Sequence, residues 1–226
     1  MPTEAEHISV GDSRASLLMY RVFRRLVLLI AFPYFRVEVE GREWLSMDGP
    51  IIVAPVHRSN LDTPLVNAIS RRRVRSLAKD SLFTGRFWTW FLSALGGFPV
   101  ERGTADRQAL ETARMLLDRG EPLLVFPEGT RQSGHEVQPL FDGAAYLSAK
   151  TGAPVVPVGV AGTEAALPTG SNFPKRTKVR VVVGAPIPAP IAVKGRLTRR
   201  QRTEFTAELH SRLQEVYDRA RAQSEE

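Results

Sequence analysis

Short apolar runs alternating with helix-patterned segments constrain this chain more than any other feature. Pro50 to Ala54 and Pro122 to Phe126 read as buried strands. Val74 to Ala78, Pro154 to Val160 and Lys178 to Val183 read as strands as well. Arg36 to Glu40, which alternates, and Gly97 to Glu101 add two more. Between them lie helical patterns over residues 64 to 72, from Thr104 to Arg119, over 140 to 151, and beyond Thr198. Leu110, Ala113, Leu116 and Leu117 form one buried stripe, and Phe205, Leu209, Leu213 and Val216 another. Thr198 with Gln201 makes a capping box for the last helix, and the polar tail after about Arg221 is expected to fray. The order predicts an α/β fold: a single domain with a mostly seven-stranded central sheet and helices on both faces. At 226 residues, one domain can hold a substantial core.

The first 12 residues are polar, and a helical pattern runs from Ser13 to about Phe32. Leu17, Leu18, Val22, Leu26, Leu29 and Ile30 give an apolar face, while Arg14, Arg21 and Arg25 share another. A spanning helix is disfavoured, because each arginine costs about 2.5–3.5 kcal/mol near a bilayer centre. No small-residue cleavage site follows, so a signal peptide fits poorly as well. Two readings remain: an amphipathic helix lying in a membrane interface, and a helix packed on the domain with solvated arginines. The first is favoured. Phe83 to Phe91 is the densest aromatic segment. It reads as core, as the wall of an acyl-chain channel, or as a segment dipping into lipid.

The chain has no cysteine, which excludes disulfides, thiolate metal sites and a cysteine nucleophile. Its net charge of +7 favours an anionic partner. No recognition-helix or aromatic RNA-binding pattern accompanies it, so nucleic acid is not expected.

In sheets of this kind, ligand chemistry gathers beyond the carboxyl ends of the strands. His57, Lys79, Arg102 and the turn Pro127-Glu128-Gly129-Thr130-Arg131 all stand just after predicted strands. His57 and Asp62 are five positions apart, which would turn them roughly 140° apart on a regular helix. That spacing suits a loop histidine and an aspartate at the start of the next helix, where Pro64 is tolerated. The pair then serves as a base and its orienter. The plainer alternative is a helix cap at Asp62 or Thr63 beside an ordinary loop histidine.

These motifs resemble those of the glycerolipid acyltransferases typified by 1-acyl-sn-glycerol-3-phosphate acyltransferase. His57-(four residues)-Asp62 matches the first family motif, and Gly97-Phe98-Pro99-Val100-Glu101-Arg102 resembles the second. Phe126-Pro127-Glu128-Gly129-Thr130-Arg131 matches the third closely, and Val155-Val156-Pro157-Val158 resembles the fourth. Order and spacing agree over roughly residues 35 to 190. Val56 stands where the family often has Asn, and Gln132 where it often has Ser. Neither change removes an ionisable group.

The resemblance implies residues 1–34 as an interfacial helix region and 35–226 as an acyltransferase domain. It implies transfer of a fatty acyl group from acyl-CoA, or acyl carrier protein, to the free hydroxyl of lysophosphatidate. His57 would be the general base and Asp62 its orienter. Arg102 and Arg131 would bind the phosphate through paired donors. Gly129 would allow close backbone approach, Thr130 would offer a hydroxyl, and Glu128 would hold an arginine or a glycerol hydroxyl. Lys79 would extend the positive pocket or meet the donor. With no Gly-x-Ser-x-Gly elbow, a covalent acyl-enzyme on Ser59 is disfavoured. No metal or cofactor is implied beyond acyl-CoA as co-substrate. The expected location is peripheral or monotopic, on the cytoplasmic face of an anionic membrane. The competing readings are another lysophospholipid, a lyso-glycolipid or glycerol 3-phosphate as acceptor, a catalytically silent lipid-binding protein, and metal-dependent hydrolysis at His57 and Asp62. Of the other histidines, His7, His135 and His210 form no ligand cluster in sequence.

Overall fold

The computed structural model describes residues 11–100, 107–171, 173–191 and 197–225. Seven strands form one sheet in the order β1-β7-β6-β2-β5-β3-β4. They are β1 (Glu38–Glu40), β2 (Ile52–Pro55), β3 (Arg75–Lys79), β4 (Gly97–Val100), β5 (Leu123–Leu124), β6 (Val155–Ala161) and β7 (Arg180–Val183). All neighbours are parallel except β6 and β7, which run antiparallel. The helices are α1 (Arg14–Leu26), α2 (Asp62–Ile69), α3 (Gly85–Ala94), α4 (Arg107–Asp118), α5 (Gly143–Thr151), α6 (Thr163–Ala166) and α7 (Arg199–Glu225). A π-helical stretch, Val27–Ala31, and a last turn, Phe32–Tyr34, continue α1.

The apolar runs become strands because both of their faces are covered. Successive residues of β2 point to opposite sides. Val53 joins a core with Leu65, Val66 and Ile69 of α2. Ile52 and Ala54 join a second core with Leu116 and Leu117 of α4 and Leu147 of α5. The long α7 serves both: Phe205 and Leu209 enter the second core, and Leu213, Val216 and Tyr217 the first. Gly159 on β6 makes that crossing possible, since a Cβ there would strike the Val216 carbonyl of α7.

The expected seven strands and flanking helices are present, with shifted bounds. The first strand starts at Glu38 rather than Arg36, because Arg36 adopts a left-handed φ of 47° that breaks the extended chain. The helix expected from 64 begins at Asp62 itself, with Leu61 at the cap position. The capping box holds, since Gln201 N donates to Thr198 Oγ1 at 3.2 Å and Thr198 N to Gln201 Oε1 at 3.0 Å. The chain beyond Arg221 stays helical to Glu225 rather than fraying.

Helix α1 docks through Ser16, Tyr20 and Phe23 and shows solvent a row of apolar side chains. Ser16 and Tyr20 are buried, whereas Leu18, Val22, Leu26, Leu29 and Ile30 are exposed. Phe23 meets Phe91 of α3 edge to face, with ring centroids 6.0 Å apart. Phe87 and Trp88 of α3 are exposed in their turn. Among the described residues, no helix is long and apolar enough to cross a membrane.

Candidate active site

The strand order brings distant turns together. β2 lies between β5 and β6, parallel to both, so the carboxyl ends of all three open on one side. His57 follows β2, the Glu128 turn follows β5, and Thr163 follows β6. His57 and Asp62 are both buried, and Nδ1 of the imidazole lies 3.0 Å from Asp62 Oδ2. That oxygen also accepts from the backbone N–H of Arg58 and of Ser59, each at 2.7 Å. Asp62 Oδ1 accepts from Thr163 Oγ1 at 2.6 Å. Four donors therefore converge on one carboxylate, which fixes its rotamer. A proton on Nδ1 directed at Asp62 leaves Nε2 as the basic nitrogen. The ring stacks on Phe126, with centroids 3.7 Å apart and planes at 15°.

Glu128 supports the histidine loop from beneath. It is 2% exposed, and both its oxygens are taken by the protein. Oε2 accepts from His57 N at 2.9 Å, and Oε1 from Gln138 N at 3.0 Å. Arg58 Nη1 donates to both, at 2.9 and 3.0 Å. Of the two expected roles, Glu128 holds an arginine and is closed to a glycerol hydroxyl. Arg58 is itself buried, with Nε donating to Tyr217 Oη at 3.2 Å and Nη2 to the Glu136 carbonyl at 3.1 Å. Burial works to lower the Arg58 pKa, but the Glu128 charge together with the hydrogen bonds to Glu128 and Tyr217 outweighs it and holds the guanidinium above its usual value. Burial likewise pushes the Tyr217 phenol up.

The remaining expected residues lie around this centre. Gly129, Thr130 and Arg131 are exposed on the turn beside His57, and Gln132 N donates to the His57 carbonyl at 2.8 Å. Gly129 has φ 72°, and a Cβ there would come within 2.7 Å of Phe141. Glycine is therefore required for the turn to form. Lys79 ends β3 and is exposed. Arg102 lies outside the described residues. Among the described residues, no three His, Cys, Asp or Glu side chains gather as a metal-binding set.

A cavity of about 370 Å³ opens at His57. Its lining includes Phe23 and Val27 near α1, Leu77 and Ala78 on β3, and Leu92 and Leu95 at the end of α3. Lys79 and Asn60 also line it. The expected aromatic wall over 83–91 is thus corrected: leucines at 92 and 95 do the lining, and Phe87 and Trp88 face outward.

A buried histidine–aspartate pair, at the mouth of an apolar cavity and beside a glycine turn carrying an arginine, matches a known pattern. The acyltransferase family model matches residues 36–161, which hold all of these groups except α1. The chain belongs to the acyltransferase family. It is 31% identical over 160 residues to the chloroplastic 1-acyl-sn-glycerol-3-phosphate acyltransferase BAT2 of Brassica napus, covering 69% of this chain and 46% of that one. It is 30% identical over 152 residues to the 1-acyl-sn-glycerol-3-phosphate acyltransferase of Bacillus subtilis, covering 67% and 73%. The chain thus spans about half the length of the plant relative. The crystal structure of the 1-acyl-sn-glycerophosphate acyltransferase PlsC from Thermotoga maritima superposes with a TM-score of 0.70 at 28% identity, over 88% of this chain and 79% of that one.

Sequence reasoning missed three residues of this centre. Arg58 and Tyr217 were hidden because their contacts join positions 159 residues apart. Thr163 lies 101 residues from Asp62. Its position just past a strand end, where polar residues serve the site, was the one available signal.

Proposed function

We propose that this chain transfers a long-chain fatty acyl group from acyl-CoA to the free hydroxyl of 1-acyl-sn-glycerol 3-phosphate, forming phosphatidate. The observation that carries the reading is the His57–Asp62 pair at 3.0 Å, set at the mouth of a 370 Å³ apolar cavity. An alcohol is a poor nucleophile near neutral pH. As its oxygen attacks the thioester carbonyl, its proton passes to His57 Nε2. Asp62 stabilises the imidazolium that forms. The tetrahedral adduct then collapses, the C–S bond breaks, and the imidazolium returns its proton to the departing thiolate. A new ester, a free thiol and neutral histidine result. Such a base contributes about 10²–10⁴-fold.

The acyl chain would fill the cavity, where each buried methylene is worth about 0.8 kcal/mol. Arg131, Thr130 and the Gly129 backbone would meet the acceptor phosphate, with Arg102 as a second guanidinium. Lys79, exposed at the cavity rim, would meet the phosphate or the CoA. The names of the relatives support lysophosphatidate as acceptor. The proposed location is the cytoplasmic face of a membrane; contact with a membrane surface is supported by the outward apolar side of α1 beside Phe87 and Trp88, flanked by Arg21 and Arg25. Mass spectrometry of products from palmitoyl-CoA, offered lysophosphatidate, glycerol 3-phosphate and lysolipids with larger head groups, tests the reading. Phosphatidate as the main product is expected. A new ester on another acceptor alone would reject lysophosphatidate, and no ester on any would favour a silent lipid-binding protein.

A further inference from the structure

The cavity beside His57 is apolar over most of its wall but polar at one depth. Asn67 lies on α2 four positions beyond Thr63, about one helical turn or ~6 Å farther along. It lines the cavity and is 8% exposed. Its Nδ2 donates to Ser76 Oγ on β3 at 3.1 Å. Its Oδ1 is buried and meets no hydrogen-bond partner among the described residues. Reversing the amide would turn the Ser76 contact round and leave Nδ2 unpaired in its place. In either orientation one buried polar atom of Asn67 is left over, which folded proteins rarely tolerate without a purpose. Two other polar side chains of the wall are committed. Arg24 Nε donates to the Ser70 carbonyl at 2.8 Å, and the Tyr20 hydroxyl to the Arg72 carbonyl at 3.3 Å.

We infer that Asn67 and Ser76 form a subsite for a hydroxyl group carried on the acyl chain, a conclusion that rests on the acyl-transfer reading. A hydroxyl is a donor and an acceptor at once. It donates to Asn67 Oδ1 and accepts from the Ser76 hydroxyl, whose oxygen already takes the Asn67 Nδ2 proton. Leu77, Ala78, Leu92 and Leu95 suit the methylenes on either side. A plain chain passing this point shuts Asn67 Oδ1 off from every partner. Leaving a buried group unpaired is the costly side of a hydrogen bond. A site that bonds a substrate hydroxyl therefore rejects the analogue lacking it.

The test is competition between palmitoyl-CoA and hydroxypalmitoyl-CoA isomers, with the hydroxyl moved stepwise along the chain. The full chain and lysophosphatidate are used, and product ratios are read by mass spectrometry. One isomer, or two adjacent ones, should be favoured at least about tenfold over palmitate, with preference falling on either side. Asn67→Leu should reverse the ratio and Ser76→Ala should reduce it. A ratio taken within one mixture does not depend on how much of a variant folds. A flat profile, or a ratio untouched by Asn67→Leu, overturns the subsite. Binding of the same chains as non-hydrolysable CoA thioethers is followed in parallel by calorimetry. Isomer-selective binding without turnover upholds the subsite and defeats the transfer reading. Unselective binding without turnover overturns both.

Discussion

Asp62 lies at the middle of the site, and its chemistry follows from its partners. It accepts from His57, from two backbone N–H groups and from Thr163. Asp62→Asn presents an NH₂ to at least one of these donors and removes the charge that supports an imidazolium. A kcat fall of about 10²–10⁴-fold with little change in KM is expected from steady-state kinetics. Glu128 fails differently. Glu128→Gln leaves Arg58 buried with its counter-charge gone, and breaking such a pair costs about 3–5 kcal/mol. The loss should appear as a lowered Tm together with lost activity, because the same carboxylate holds the His57 backbone. The His57–Asp62 spacing and the Glu128 turn were legible because each lies within a few residues of chain. The donors to Glu128 were not, since a carboxylate in a polar turn looks the same whether it faces a ligand or an arginine 70 positions away.

At the scale of elements, the strands were legible from their apolar runs, because burial on both faces demands uninterrupted Val and Ile. Their ends were not, since backbone turns such as Arg36 leave no mark in hydropathy. Helix α1 had two open readings, and its apolar residues face outward while Tyr20 and Ser16 face in. Leu29→Glu with Ile30→Glu should therefore weaken flotation with anionic vesicles and leave Tm nearly unchanged; unaltered flotation would reject a membrane-facing α1. The chain just before α1 is anchored by Asp12, which pairs with Arg73 and, at 2.6 Å, with Arg75. Burial works to raise the Asp12 carboxyl, and the two arginines outweigh it, leaving its pKa below the usual 3.8. A lowered folded pKa stabilises fully above 3.8 and ceases to do so as pH falls through the folded value. The Tm gap between wild type and Asp12→Asn should thus be constant above about pH 5 and close in stronger acid. A gap that widens on acidification would contradict the pairing.

For the whole molecule, the sheet order explains why three distant segments act as one centre. β2 sits between β5 and β6, so a base, its supporting carboxylate and its threonine meet beyond three neighbouring strands. An apolar cavity opens beside them, and α7 reaches the centre through Tyr217, which accepts from Arg58 Nε. The central claim is that His57 removes the acceptor's proton as its oxygen attacks a thioester. The most direct measurement is thiol release from palmitoyl-CoA, with and without 1-acyl-glycerol 3-phosphate, for wild type and His57→Ala. Release by wild type that requires the acceptor, and falls at least about 10²-fold in the variant, is the expected result. Equal release by His57→Ala would contradict the base assignment outright.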